Sequence, residues 1–162
     1  TANARLYGLK SYKKGLNYLA LNYPNSNEGK EAENIIKNII PDLENSSFSN
    51  LSEGLSFKAI FKFSSLEIDL VDNFKTSLDE ALNKEKVFAL TSSKDIYDIN
   101  TTFVVVHGLK SISGALGFVE LLEIESDTIL SEPYFAISSA NYKTLQIHKN
   151  LDSYLELLNK KN

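Results

Sequence analysis

The run Thr101-Thr102-Phe103-Val104-Val105-Val106-His107-Gly108-Leu109-Lys110-Ser111 constrains this chain more than any other stretch. β-Branched and aromatic residues crowd into it, a glycine ends it, and a helical pattern begins near Ser113, so it reads as a central strand that is apolar on both faces. Upstream, Lys86-Val87-Phe88-Ala89-Leu90-Thr91 reads as its neighbour. The polar segments Ser92–Asp95 and Asp98–Asn100 between the two runs suit a hairpin with a ragged tip.

Two further strands frame this hairpin. Phe57, Phe61 and Phe63 alternate with Lys58 and Lys62, the period of two expected of a strand with one buried face. Pro133-Tyr134-Phe135-Ala136-Ile137-Ser138 is a short strand whose proline stands at its tolerated first position. Between them lie two helices. The first follows the capping pattern Ser64-Ser65-Leu66-Glu67 and carries Leu66, Leu70, Phe74, Leu78 and Leu82 on one face. The second runs from about Ser113 to Glu123 with Ile112, Ala115, Leu116, Val119 and Leu122 inward, and Gly114 and Gly117 are read as close packing against the sheet. Strand, helix, strand, strand, helix, strand is the order of a split βαβ domain, so the expected fold class is α+β, a ferredoxin-like βαββαβ antiparallel sheet. Asn141–His148 reads as a helical turn or an irregular segment, and Leu151–Lys160 as a final helix.

The first forty residues follow a helical period instead. Ala4–Leu21 reads as helix with a break near Leu9-Lys10-Ser11, and Tyr23-Pro24-Asn25-Ser26 stops it. Ser26 caps a second helix over Glu28–Ile40 with Ala32, Ile35, Ile36 and Ile39 on one side, which Pro41 ends. Ser11-Tyr12-Lys13-Lys14-Gly15-Leu16 followed by Tyr23-Pro24 resembles a tetratricopeptide unit, in which a small residue packs at the helix crossing and proline closes the repeat. The expected organisation is therefore a TPR-like helical segment over 1–41, a polar linker over 42–54, and the ferredoxin-like domain with its C-terminal helix over 55–162.

Composition narrows the chemistry. A net charge of −4 with scattered lysines argues against a nucleic-acid surface, and the absence of cysteine removes disulfides, thiolate catalysis and thiolate metal sites. The strands lack the Arg/Lys-Gly-Phe signature with which sheets of this kind stack RNA bases. His107 and His148 have no carboxylate spacing around them that suits a metal and are read as structural or surface residues. No phosphate loop, nucleophile elbow or His-Glu-x-x-His motif occurs, and Asp69, Asp72, Asp79 and Glu80 read as a solvated helix face. The expectation is a non-enzyme with no cofactor and no metal. Methionine is absent even at position 1, which reads as a chain beginning inside a longer product, and no run approaches the ~18 apolar residues of a membrane helix.

Three stretches carry a family resemblance. Leu90-Thr91-Ser92-Ser93-Lys94-Asp95-Ile96-Tyr97, Thr102-Phe103-Val104-Val105-Val106-His107-Gly108, and Ile137-Ser138-Ser139-Ala140-Asn141-Tyr142 leading into Asn150-Leu151-Asp152-Ser153-Tyr154-Leu155 resemble the C-terminal region of SprE/PorW-type tetratricopeptide lipoproteins. These belong to the type IX secretion and gliding machinery of Bacteroidetes, and the resemblance covers about residues 55–158. It implies a periplasmic accessory protein, attached to the outer membrane through a lipid anchor upstream of this chain, that contacts protein components of the machinery. It supplies no catalytic residues to carry over. The alternative is a SPOR-like module that binds peptidoglycan, which has the same order of strands and helices; its aromatic or Gly-Pro-Phe turn is replaced here by Gly108-Leu109-Lys110-Ser111.

A candidate partner surface follows from the sheet's period. With both helices on one face, the other should turn polar, as Lys58 and Lys62 do. Ile60 between them and the doubly apolar central strands do not, so Lys58, Ile60 and Lys62 are the candidate partner-binding residues.

Overall fold

The computed structural model describes residues 2–84, 90–125 and 133–160. Its elements run α1 (Ala2–Asn22), α2 (Asn27–Asn38), α3 (Ile40–Glu44), β1 (Phe57–Ser64), α4 (Ile68–Lys84), β2 (Thr91–Ile96), β3 (Thr101–Leu109), α5 (Ile112–Glu125), β4 (Tyr134–Ser138), α6 (Ser139–His148) and α7 (Leu151–Asn159). They gather into two compact units, Thr1–Phe48 with Lys143–Asn162, and Ser49–Tyr142. The C-terminal helix expected to complete the α+β domain therefore belongs with the N-terminal helices.

The helical unit packs around Leu9, Leu16, Ala32 and Ile40, with Tyr12, Ile35, Ile36 and Ile147 against them. The break expected near Leu9 is a kink at Gly8, whose φ of 74° favours glycine. A side chain there would also meet the Ile147 carbonyl oxygen at 2.9 Å. Ser26 caps α2 as expected, accepting from the Gly29 amide at 2.9 Å. Three expectations change. Ile39 is exposed and Ile40 is buried in its place, because Pro41 opens the short α3 at its first turn and does not end α2. That turn also makes Asp42–Glu44 helical where a linker was expected. Nothing lies within 4 Å of a Cβ at Gly15, so this glycine does not serve a helix crossing. His148 Nε2 meets Ser46 Oγ at 2.8 Å, and the Phe48 and Tyr154 rings meet edge to face at 5.2 Å.

The second unit is α+β: a four-stranded antiparallel sheet in the order β2-β3-β1-β4. One face carries Phe57, Ala59, Phe61 and Phe63 of β1 with Val104 and Val106 of β3, covered by Val71 and Leu78 of α4 and Ala115 and Val119 of α5. Phe74 sits between Phe61 and Phe63, with ring centroids 4.9 and 5.0 Å away. The inner stripe of α4 is thus Val71-Phe74-Leu78-Leu82, while Leu66 and Leu70 are exposed, since a strict spacing of four drifts about 40° per step around the helix and Leu66 also precedes its start at Ile68. Leu116 of α5 likewise points outward. Nothing lies within 4 Å of a Cβ at Gly117, and only Ser111 Oγ near Gly114, so neither glycine is needed for packing on the sheet. Of the two alternatives for Asn141–His148, a helical turn or an irregular segment, the helical one is found, extended to the full helix α6 that follows directly on β4.

The largest difference concerns β2. The strand pairs over Thr91–Ile96, which takes in Ser92–Asp95 read as polar hairpin, and of the expected Lys86–Thr91 strand residues 86–89 lie outside the described residues. Its position explains its composition. Among the described residues β2 is an edge strand, bonded to β3 alone, and edges are kept polar because an apolar one would template association. Ser92 and Lys94 on its helix-facing side reach Asp79 and Asp72 of α4. These two aspartates, expected on a solvated face, therefore tie helix to edge strand.

Candidate functional site

The second face of the sheet begins apolar. Ile60, Phe103, Val105, Phe135 and Ile137 are all buried. Phe103 gathers a cluster of rings: Tyr97 stacks on it at 4.8 Å, and Phe135 and Tyr142 approach at 6.1 and 6.5 Å. The expectation that this face departs from alternation is met. Ile60, however, has no exposed surface, so it stands in the core and is not presented to a partner.

At one end of the same face lies a set of polar groups that meet through the strand register. Thr91 pairs with His107 and Ser93 with Val105, so Ser93 and Asp95 share the side of the sheet on which His107 stands. Opposite, Phe57 pairs with Leu109 but Ala59 with Val106, which leaves one extra residue on β3 at His107-Gly108. This is a β-bulge, and Gly108 takes the left-handed backbone it requires, with φ at 94°. Bulges re-aim side chains, and here the imidazole stands between Lys58 and Ser93.

Lys58 Nζ lies 2.8 Å from His107 Nδ1, and Ser93 Oγ 2.8 Å from His107 Nε2. Ser93 Oγ donates to Asp95 Oδ1 at 2.9 Å, and the Tyr142 hydroxyl donates to Asp95 Oδ2 at 2.7 Å. The Lys58 ammonium also sits 5.6 Å from the centre of the Tyr142 ring, within cation–π range. Counting protons orders these contacts. A serine has one proton to give, and an ionised carboxylate only accepts, so the Ser93 proton goes to Asp95. The Nε2–H of His107 then donates to Ser93 Oγ, and the bare Nδ1 accepts from the Lys58 ammonium. The chain runs one way, from Lys58 through His107 and Ser93 to Asp95.

The electrostatics agree with a neutral imidazole. Burial is the main cause holding His107 below its ordinary pKa; the Lys58 charge adds to this, and Asp95 opposes both. Burial likewise lowers Lys58, with the Asp95 charge working against it. Ser93 beside a histidine and an aspartate suggests a nucleophile, but its proton points to the carboxylate and not to a base. As arranged, the group holds a cation and an anion together through neutral groups and does not activate the hydroxyl.

Of the three candidate partner residues, the structure brings Lys58 into this network and leaves the half-buried Lys62 toward the other end of the same strand, where its amide donates to the Pro133 carbonyl at 2.9 Å. Sequence reasoning missed Ser93, Asp95 and Tyr142. Alternation of Ser93 and Asp95 along an edge strand, facing the only histidine of the apolar run, was the signal available. Among the described residues no group of three or more histidines and carboxylates is placed to hold a metal, and no helix is long and apolar enough to cross a membrane.

The stretch around Asn141 has its own geometry. Ser138 Oγ accepts from the Asn141 amide at 3.2 Å and so caps the start of α6. The buried Asn141 carboxamide accepts from the Ser49 amide at 2.8 Å and the Ser49 hydroxyl at 3.0 Å, and donates back to the Ser49 carbonyl at 3.2 Å. Ser139 N–H donates to the Ser56 carbonyl at 2.9 Å, so the segment before β1 is laced to the end of β4. No family model matches the chain, and neither a curated protein nor a solved structure matches it.

Proposed function

We propose that the chain is a non-enzymatic accessory component of type IX secretion and gliding motility, acting through protein–protein contacts in the periplasm of a protein anchored upstream to the outer membrane. The observation that carries the non-enzymatic part is the direction of the proton chain. Among the described residues Ser93 is the hydroxyl that lies beside both a histidine and an aspartate, and it gives its proton to Asp95. The secretion part rests on the sequence resemblance, whose Ser138, Asn141 and Tyr142 have defined bonding partners here and are thus accounted for by architecture. The finer fold reading, a ferredoxin-like split βαβ domain, is supported by the strand order β2-β3-β1-β4 with helices after β1 and β3.

Gene deletion in the host, complemented by wild type or by the Ser93→Ala/His107→Ala double variant, tests this reading. Deletion should abolish secretion and gliding, and the double variant should restore both. Normal secretion in the deletion strain would remove the secretion assignment; loss of function in a correctly folded double variant would remove the non-enzymatic one. The SPOR-like alternative shares the order of strands and helices. Cosedimentation with amidase-treated sacculi would favour it.

A further inference from the structure

We propose that one corner of the α+β unit, formed by the turn after β1, the first turn of α4 and the β2–β3 hairpin tip, docks a protein segment that carries aliphatic anchors flanked by lysine or arginine. The proposal rests on reading the chain as an interaction module and names the surface and the chemistry of its partner.

The corner is ordered by its own hydrogen bonds. Ser65 N–H donates to the Asn100 carbonyl at 2.8 Å, and the Ser65 and Thr102 hydroxyls meet at 2.9 Å, so the two turns are fastened together. The hairpin tip is closed by Tyr97 and Asp98 amides donating to the Thr101 carbonyl at 3.0 and 3.2 Å, and by Asn100 N–H donating to Asp98 Oδ1 at 2.8 Å. The first turn holds Leu66 through its amide, which donates to Ser64 Oγ at 3.2 Å.

On this frame stand aliphatic side chains that the fold leaves in water. Leu66 is 91% exposed, Ile68 63%, Ile99 60% and Ile96 58%. Their neighbourhood follows from the bonds between edge strand and helix. Ser92 bonds Asp79 and Lys94 bonds Asp72, so two residues forward on β2 run back about two turns on α4. One more step of the same kind ends at residue 65, in the turn just ahead of Ile68, and Ile96 pairs with Thr102, whose hydroxyl meets that of Ser65. Ile99 comes alongside Leu66 through the Ser65–Asn100 bond. Four exposed branched side chains on these fastened turns supply the apolar anchors of the proposed surface.

Charge selects the partner. Over residues 64–73 and 91–100 the chain carries Glu67, Asp69, Asp72, Asp95 and Asp98 against a single cation, Lys94, and that lysine is paired with Asp72. Asp95 belongs to the network on the other face. Glu67, Asp69 and Asp98 rim the patch and, among the described residues, form no ion pair, Asp98 serving only to close its own turn. An anionic lipid surface would be repelled by that rim, whereas a basic and aliphatic protein segment satisfies both the apolar patch and its charges.

The test is an NMR titration of the full ¹⁵N-labelled chain with a synthetic amphipathic Leu/Lys peptide, a Leu/Glu peptide of the same pattern, and vesicles of phosphatidylcholine with phosphatidylglycerol. Saturable shifts confined to residues 64–69 and 95–101 are expected with the Leu/Lys peptide alone. Leu66→Ser/Ile99→Ser should weaken binding by about tenfold or more with an unchanged melting temperature, and Glu67→Lys/Asp69→Lys should transfer the preference to the Leu/Glu peptide. Shifts centred elsewhere, equal binding by the variants, binding to the vesicles instead, or concentration-dependent self-association through this corner would each overturn the proposal. Complementation separates it from the functional reading. If the deletion strain loses secretion yet no peptide binds the corner, the docking surface alone fails; if peptide binds as expected while the deletion strain secretes normally, the secretion assignment alone fails.

Discussion

The two faces of the sheet solve different problems with the same strands. The face under α4 and α5 is hydrocarbon over β1 and β3, Phe57, Phe61, Phe63, Val104 and Val106 against Val71, Leu78, Ala115 and Val119, and turns polar at the β2 edge, where Ser92 and Lys94 meet Asp79 and Asp72. The opposite face is equally buried at Ile60, Phe103 and Val105, but at its end it takes in Lys58, His107, Ser93, Asp95 and Tyr142. Apolar contact tolerates small shifts of packing. A directional chain of hydrogen bonds does not, since each donor needs its own acceptor and a broken link leaves a polar group without a partner in a low-dielectric setting. Both faces therefore share the driving force, and the network on the second adds specificity for the register of β2, β3 and β1.

The comparison breaks most visibly at Ile60. Replacing it with Lys places a charge where no surface is exposed, and should cost about 4 kcal/mol or prevent folding, read by chemical denaturation. A melting temperature within a few degrees of wild type would show that this face opens to water. Next come Phe61→Ala on the first face and Phe103→Ala on the second. Both side chains are fully buried, so both should lose about 3–5 kcal/mol, and a loss at Phe103 near 1 kcal/mol would make the second face a lesser core.

Smaller effects should appear in the network. Asp95→Ala removes the acceptor of both Ser93 and Tyr142 and should cost about 1–3 kcal/mol, with tyrosine signals shifting at Tyr142. The pH dependence has a defined sign. Because the folded pKa of His107 is lowered, the unfolded chain binds the proton first, so stability falls as pH drops through about 6.5 toward the folded value and levels off below it. Lys58→Met removes one of the two causes of that lowering. Its His107 should titrate higher than wild type by NMR, with burial still keeping it from a fully ordinary value.

What the residues announced and what they concealed divides along the same line. Period two in Phe57, Phe61 and Phe63 gave β1, and the doubly apolar β3 was legible because a strand buried on both faces has no polar positions to alternate. β2 was concealed because an edge strand is polar by necessity: Thr91-Ser92-Ser93-Lys94-Asp95-Ile96 looks like a turn until its pairing with β3 is known. The network was hidden for a related reason. Its members come from three strands and the start of α6, and only the register and the bulge at Gly108 bring them together. Leu66 and Leu70 show the limit of periodicity, because a row of leucines spaced by four drifts about 40° per step around a helix, so its far end leaves the face that Val71 and Phe74 turn inward.

The direction of the proton chain is most directly tested by the tautomer of His107, measured through ¹H–¹⁵N couplings of the imidazole in ¹⁵N-labelled protein near neutral pH. The account predicts the Nε2–H form, neutral and titrating below the ordinary histidine range, with its proton shared toward Ser93 Oγ. An Nδ1–H tautomer with Nε2 accepting from Ser93 would contradict it, because that arrangement turns the serine proton toward a base and restores the nucleophile that the proposed function denies.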